Sequence, residues 1–265
     1  MLVILKAILL GIVEGVTEWL PVSSTGHMLL LDEVLRLPGS PGFKDSFFVV
    51  IQLGAILAVI GLFREKMLPA RGSGQNRETL LLWTKTALAC LPGAAAVFLL
   101  RDAEDRLESP PVIAVALIGY GIIFILSENK QRTPRIRGTE SIGFRDAFRV
   151  GLFQTLSLVP GTSRSGSTII GGLAVGMERQ TAAEFSFFLA VPVMAGYSAV
   201  KLISNGIAFS PGEWGILIAG SLSAYLTSLL VVKRFMAYLK GHGFGLFGWY
   251  RIALGLAVLI KLWIK

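Results

Sequence analysis

Glu14-Gly-Val-Thr-Glu18-Trp-Leu-Pro21-Val-Ser-Ser-Thr-Gly-His27 closes an N-terminal stretch whose only other charge is Lys6. Its two acids lie one helical turn apart, so a helix puts both carboxylates on one face. The surrounding residues are apolar enough to enter a membrane, where a charge costs a few kcal/mol on insertion scales. Two such charges persist only if a cation meets them, a proton neutralises one, or they face water. Each case describes a polar site, and the hydroxyls of Ser23, Ser24 and Thr25 and the imidazole of His27 follow at once.

The rest of the chain supports a membrane setting. Of 265 residues, 53% are hydrophobic and 16% charged, against roughly a quarter charged in soluble domains. Mean hydropathy is +0.67. Apolar stretches long enough to span a bilayer recur at about 44–63, 79–100, 111–127, 180–203, 212–233 and 246–264. The net charge of +8 sits in the loops between them, which reads as positive-inside patterning and not as a nucleic-acid surface. Cys90 is the single cysteine, so no internal disulfide forms. The acids at 14 and 18 interrupt the first apolar run and argue against a cleaved signal peptide.

Two segments are too short to span. Residues 1–20 and 26–36 flank the Ser-Ser-Thr-Gly turn, and about 144–176 holds a second broken pair around Pro160-Gly-Thr-Ser-Arg164-Ser-Gly-Ser-Thr168. Half-length helices around polar turns predict re-entrant hairpins. Basic loops at 64–78 (Arg64, Lys66, Arg71, Arg77), 128–149 and 233–242 contrast with the acids Asp102, Glu104, Asp105 and Glu108 at 101–109. Placing the basic loops in the cytoplasm predicts six spanning helices, two hairpins and both termini outside.

A shift of about 140 residues aligns the halves without gaps. Gly11 falls on Gly151, Glu14 on Gln154, Ser23 on Ser163, Thr25 on Ser165, Gly26 on Gly166 and Phe47-Phe48 on Phe187-Phe188. Three spans between equivalent hairpins invert the second repeat. The expected fold is a single all-α polytopic membrane domain over 1–265, an inverted-topology repeat with halves at about 1–127 and 128–265. Glu14, Glu18, Ser24 and His27 should then lie near Arg164.

The second turn has the make-up of an anion cradle. Ser163, Ser165, Gly166 and Thr168 surround a helix N-terminus, and Arg164 adds a planar fork suited to phosphate oxygens. The first turn supplies nucleophiles in its hydroxyls and an acid or base in Glu18 or His27. Glu14 and Glu18 also offer hard oxygens for a divalent cation, magnesium or calcium. Gln154, at the repeat position of Glu14, is expected to line the site, and Glu184 to support the second turn. Trp19, Trp214 and Trp249 read as interfacial anchors. His242, in a Gly-rich basic loop, reads as solvated.

These two motifs resemble the signatures of the bacterial undecaprenyl-diphosphate phosphatase family, also called the bacitracin resistance protein. Phe47-Phe-Val-Val-Ile-Gln52-Leu-Gly-Ala and Glu184-Phe-Ser-Phe-Phe-Leu-Ala-Val-Pro192 are similar as well, and the match runs essentially end to end. The resemblance implies a multi-pass enzyme of the bacterial inner membrane that converts undecaprenyl diphosphate to undecaprenyl phosphate for peptidoglycan and other wall polymers. It implies an active site open to the outer face and a divalent cation. It carries the functional roles onto Glu14, Glu18, Ser23, Ser24, Thr25, His27 and Arg164. Expected partners are the lipid substrate and membrane lipids, with no nucleic acid, and dimerisation is left open. Ser24 is the preferred nucleophile, with Glu18 or His27 taking its proton, and attack by His27 or by water is left open. The other reading is a polyprenyl-phosphate flippase built on the same site, since broken helices in inverted repeats are also transporter architecture.

Overall fold

A computed structural model describes residues 1–40, 42–69, 75–128 without 101–108, 133–206 and 209–264. Arg71, the acids at 102, 104, 105 and 108, and Lys130 and Arg132 lie outside the described residues. Among the described residues the chain is all helix and loop, with one isolated bridge between Ile136 and Met177. The helices are α1 (Leu2–Thr17), α2 (Ser24–Leu35), α3 (Phe43–Leu62), α4 (Arg64–Met67), α5 (Gln75–Leu100) and α6 (Pro110–Glu128). They continue as α7 (Phe144–Gln154), α8 (Arg164–Ala174), α9 (Arg179–Asn205), α10 (Pro211–Tyr238) and α11 (Gly245–Ile264).

Six of these are long and apolar enough to cross a membrane: Phe43–Leu62, Asn76–Leu99, Pro110–Glu128, Arg179–Asn205, Pro211–Tyr238 and Gly245–Ile264. They fall on the six stretches read from hydropathy, because an unbroken apolar run of that length has no cheaper home. The protein is a multi-pass helical membrane protein.

Close helix packing runs through small residues, as expected where lipid offers no hydrophobic drive to association. A Cβ on Gly248 of α11 would stand 2.6 Å from the Gly121 carbonyl of α6, and one on Gly121 would stand 2.7 Å from that of Gly248. The contact is reciprocal. A Cβ on Gly11 would stand 2.2 Å from the Gly220 carbonyl of α10, and one on Gly151 2.3 Å from the Ala89 carbonyl of α5.

The short helices turn back on themselves. Lys6 Nζ, near the start of α1, donates to the Leu35 carbonyl at the end of α2 over 2.5 Å. Arg135 joins Asp146 at the start of α7 to the Val175 carbonyl after α8, at 2.5 and 3.0 Å. Leu35 and Val175 are equivalent under the 140-residue shift. So are Arg36 and Gly176, which follow them with positive φ of 45° and 86°. Ser23 and Ser163 share an unusual backbone too, with φ 72° and 73°.

One end of the bundle is laced by charge. Lys66 pairs with Glu184 and Arg179 with Glu128, both at 2.6 Å, and Glu128 also accepts the Phe244 amide at 2.7 Å. At the other end Asp32 pairs with Lys44, and Glu213 accepts the Ser40 amide. The tryptophan reading divides. Trp214 and Trp249 are 46% and 63% exposed, whereas Trp19 is fully buried against Phe187 and is no surface anchor.

Candidate active site

The first turn forms where α1 runs into Pro21, which denies it a further hydrogen bond. Glu14 and Glu18 lie on one inward face, 1% and 7% exposed. Ser24 is the first residue of α2, and its hydroxyl donates to Glu18 Oε2 at 2.6 Å. Ser23 precedes it as the N-cap, accepting the Gly26 amide. Thr25 is exposed. His27 Nδ1 lies 2.7 Å from the Ser23 carbonyl, and Nε2 lies 2.6 Å from the Tyr250 hydroxyl. A carbonyl only accepts, so Nδ1 carries the proton, and Nε2 and the tyrosine hydroxyl form the second hydrogen bond of the ring. The two rings stack, with planes 4° apart.

The second turn repeats the first with different side chains. Ser163 caps α8 through the Gly166 amide and bonds the Ser165 hydroxyl at 3.0 Å. Arg164 opens the helix, as Ser24 opens α2. Its Nη1 donates to the Ser186 carbonyl at 2.7 Å, and its guanidinium stands 5.9 Å over the Trp19 ring. Thr168 is buried and bonds the Ser186 hydroxyl at 2.7 Å.

The turns meet. Arg164 Nη2 reaches Glu18 Oε1 at 2.8 Å, so Glu18 holds Arg164 on one oxygen and Ser24 on the other. The Ser165 hydroxyl donates to the Leu20 carbonyl at 3.2 Å. Glu14 lies within electrostatic range of Glu18 and Arg164. Of the residues expected around Arg164, Glu18 touches it directly, Ser24 is one contact away, and His27 faces Tyr250 instead.

Neither Gln154 nor Glu184 bonds Arg164 or Glu18. Gln154 is buried, with its amide nitrogen against Gly93 of α5. Glu184 pairs with Lys66, while Ser186, two residues on, braces Arg164. The sequence reading passed over Ser186, Tyr250 and Arg251. Arg251 carried a signal, since a guanidinium inside an apolar span raises the same question as Glu14. The other two are ordinary residues at helical positions and carried none.

Several polar atoms at the site are buried without a partner: Glu14 Oε1, Arg164 Nε and the indole nitrogen of Trp19. Arg164 therefore keeps a spare donor for an anion, and Glu14 a spare oxygen for a cation. No group of three or more His, Cys, Asp or Glu gathers among the described residues. Two carboxylates nevertheless suit magnesium or calcium when phosphate oxygens complete the shell, so the donor set fits such an ion.

The sequence model of the bacitracin resistance protein BacA family matches residues 7–257. Undecaprenyl-diphosphatase of Enterococcus faecalis is 51% identical over 265 residues, covering 97% of this chain and 96% of that protein. Undecaprenyl-diphosphatase 1 of Clostridioides difficile (strain 630) is 49% identical over 263 residues, covering 98% and 96%. Undecaprenyl-diphosphatase of Lachnoclostridium phytofermentans is 48% identical over 260 residues, covering 96% and 95%. The chain belongs to the bacitracin resistance protein BacA family.

Proposed function

We propose that this protein removes the terminal phosphate of undecaprenyl diphosphate, returning the lipid carrier to the synthesis of peptidoglycan and other wall polymers. One observation carries the mechanism: Glu18 joins the Ser24 hydroxyl and the Arg164 guanidinium at 2.6 and 2.8 Å. Nucleophile, base and phosphate-binding cation thus share one carboxylate. The diphosphatase names of the relatives favour hydrolysis over transport.

Arg164 binds the terminal phosphate, using the free Nε, with the backbone amides of Arg164 and Ser165 at the start of α8 beside it. Ser24 Oγ attacks the phosphorus while Glu18 takes its proton. The bond to the bridging oxygen breaks, its electrons stay on the leaving oxygen of undecaprenyl phosphate, which takes the proton from Glu18, and Ser24 holds the phosphoryl group. Glu18 then takes a proton from water as it attacks the phosphorus, and returns that proton to Ser24 Oγ as the Oγ–P bond breaks and phosphate leaves. Charge neutralisation and in-line positioning supply most of the rate. Glu18 is favoured over His27 as the base because both imidazole nitrogens are engaged away from Ser24. Glu14 and Glu18 would hold a divalent cation, which neutralises diphosphate charge when bound. Thr168 acts through Ser186 on the aim of Arg164.

The same reading sets the frame. The chain is one membrane domain in the bacterial inner membrane, two inverted repeats at about 1–127 and 128–265, each opening with a re-entrant hairpin. The matched backbones at Ser23 and Ser163 and the reciprocal Gly121–Gly248 contact support this. The charged end faces the cytoplasm, the site opens outward, and both termini lie outside. Purified protein in detergent should release phosphate from undecaprenyl diphosphate. Detergent has no two sides, so a protein that only flips lipid would release none.

A further inference from the structure

We infer that Arg251 is a positioning residue that clamps the two polar turns into one site, a role that rests on reading those turns as halves of the phosphoryl-transfer centre. Arg251 belongs to the last spanning helix and is fully buried. Its Nη1 donates to the Pro21 carbonyl at 3.1 Å. Its Nη2 donates to the Gly161 and Thr162 carbonyls at 2.6 and 2.9 Å. One arm of the fork therefore holds the first turn and the other holds the second.

The points of attachment matter. Pro21 is the midpoint of the loop that folds Ser24 back onto Glu18. Gly161 and Thr162 lead directly into Ser163 and Arg164. Turn carbonyls at membrane depth lack water and need a protein donor. Arg251 meets that need for both turns at once and thereby fixes their separation. A Cβ on Gly166 would come within 3.4 Å of Nη1, so the second turn is closed around the guanidinium.

No carboxylate pairs with Arg251 among the described residues. Three carbonyls accept from Nη1 and Nη2, Nε is buried without a partner, and the rings of Tyr120 and Phe124 from α6 lie 5.5 and 6.0 Å from the guanidinium. Tyr120 is itself held by the Ser167 hydroxyl of α8 at 3.2 Å. A lysine would keep the charge but not the fork, and one ammonium does not reproduce the planar geometry that serves two turns.

The test uses full-length protein in detergent, with phosphate release from undecaprenyl diphosphate and thermal melting as readouts. Arg251→Lys and Arg251→Gln should lower kcat about 100-fold, the order expected when reacting groups shift by an ångström. KM should stay within about threefold and melting should be retained. Arg251→Lys combined with Ser24→Ala should lose no more than Ser24→Ala alone, because Arg251 acts through the placing of Ser24. Folded Arg251 variants with near-normal turnover overturn the inference, and so do additive losses in the double variant. Failure of both single variants to fold also overturns it, leaving Arg251 a plain structural staple. Arg164→Ala separates the two levels. If it is active, the composite site itself is wrong; if it is dead while Arg251→Gln is active, only the clamp is wrong.

Discussion

Arg164 and Glu18 stand 146 residues apart in the chain and meet at 2.8 Å. Each is nearly out of solvent, so neither tolerates loss of the other, because breaking a buried pair strands a charge. Arg164→Ala should reduce turnover by about 1,000-fold, the upper range for removing a preorganised charge-stabilising donor. Arg164→Lys should recover little, since it cannot hold Glu18 and Ser186 together. Gln154→Ala, against α5, should cost far less. Equal small losses in phosphate release would remove Arg164 from the site.

Ser24→Ala should lower turnover about 1,000-fold, to a residual rate still above background, whereas Thr25→Ala, on an exposed side chain, should leave it within about threefold. Single-turnover trapping of a phosphorylated protein adds a direct check. Phosphoserine at Ser24 is expected, and a Ser24→Ala variant with near-normal turnover would rule out the covalent route.

Cation dependence follows from the free oxygen of Glu14. Chelation should stop phosphate release, and magnesium or calcium should restore it. Glu14→Gln should raise the half-saturating cation concentration about tenfold or more, the usual effect of losing one element of a site. Activity unchanged by chelator would leave the Glu pair with proton handling alone.

Stability should depend on the α6–α11 seam. Gly248→Ala places a methyl 2.6 Å from a backbone carbonyl and should cost about 1–3 kcal/mol through overpacking. Gly119→Ala, with open space around it, should be silent. Thermal melting in detergent separates the two.

Topology is testable at two open glycines, each with nothing near its missing side chain. In a Cys90→Ala background, a membrane-impermeant thiol reagent applied to intact cells should label Gly212→Cys. It should miss Gly241→Cys until the cells are opened. The reverse pattern would invert the protein.

The spans were legible because length and apolarity decide them directly. The breaks between α1 and α2 and between α7 and α8 were legible because Pro21 and Pro160 interrupt the apolar runs there. The Glu18–Arg164 contact followed from the 140-residue shift, which places Ser24 on Arg164 and brings their turns together. Other features had no such signal. The partners of Arg251 are main-chain carbonyls, which every residue possesses, so no pattern of residue types marks them. Tyr250 faces His27 across 223 positions, and no motif at either residue announces the contact. Glu184 looked like a neighbour of the second turn by sequence distance, but the helix aims it at Lys66, while Ser186 turns towards Arg164.

Trp19 was read as a membrane-surface anchor and is instead sealed beneath the Arg164 guanidinium, with an indole N–H that has no acceptor. An indole emission spectrum responds to the charge and polarity beside the ring. The protein therefore carries an intrinsic optical reporter beside the Arg164 guanidinium. With Trp83, Trp214, Trp249 and Trp263 replaced by Phe, the emission of Trp19 would follow occupancy of the site in real time, without a label and without turnover.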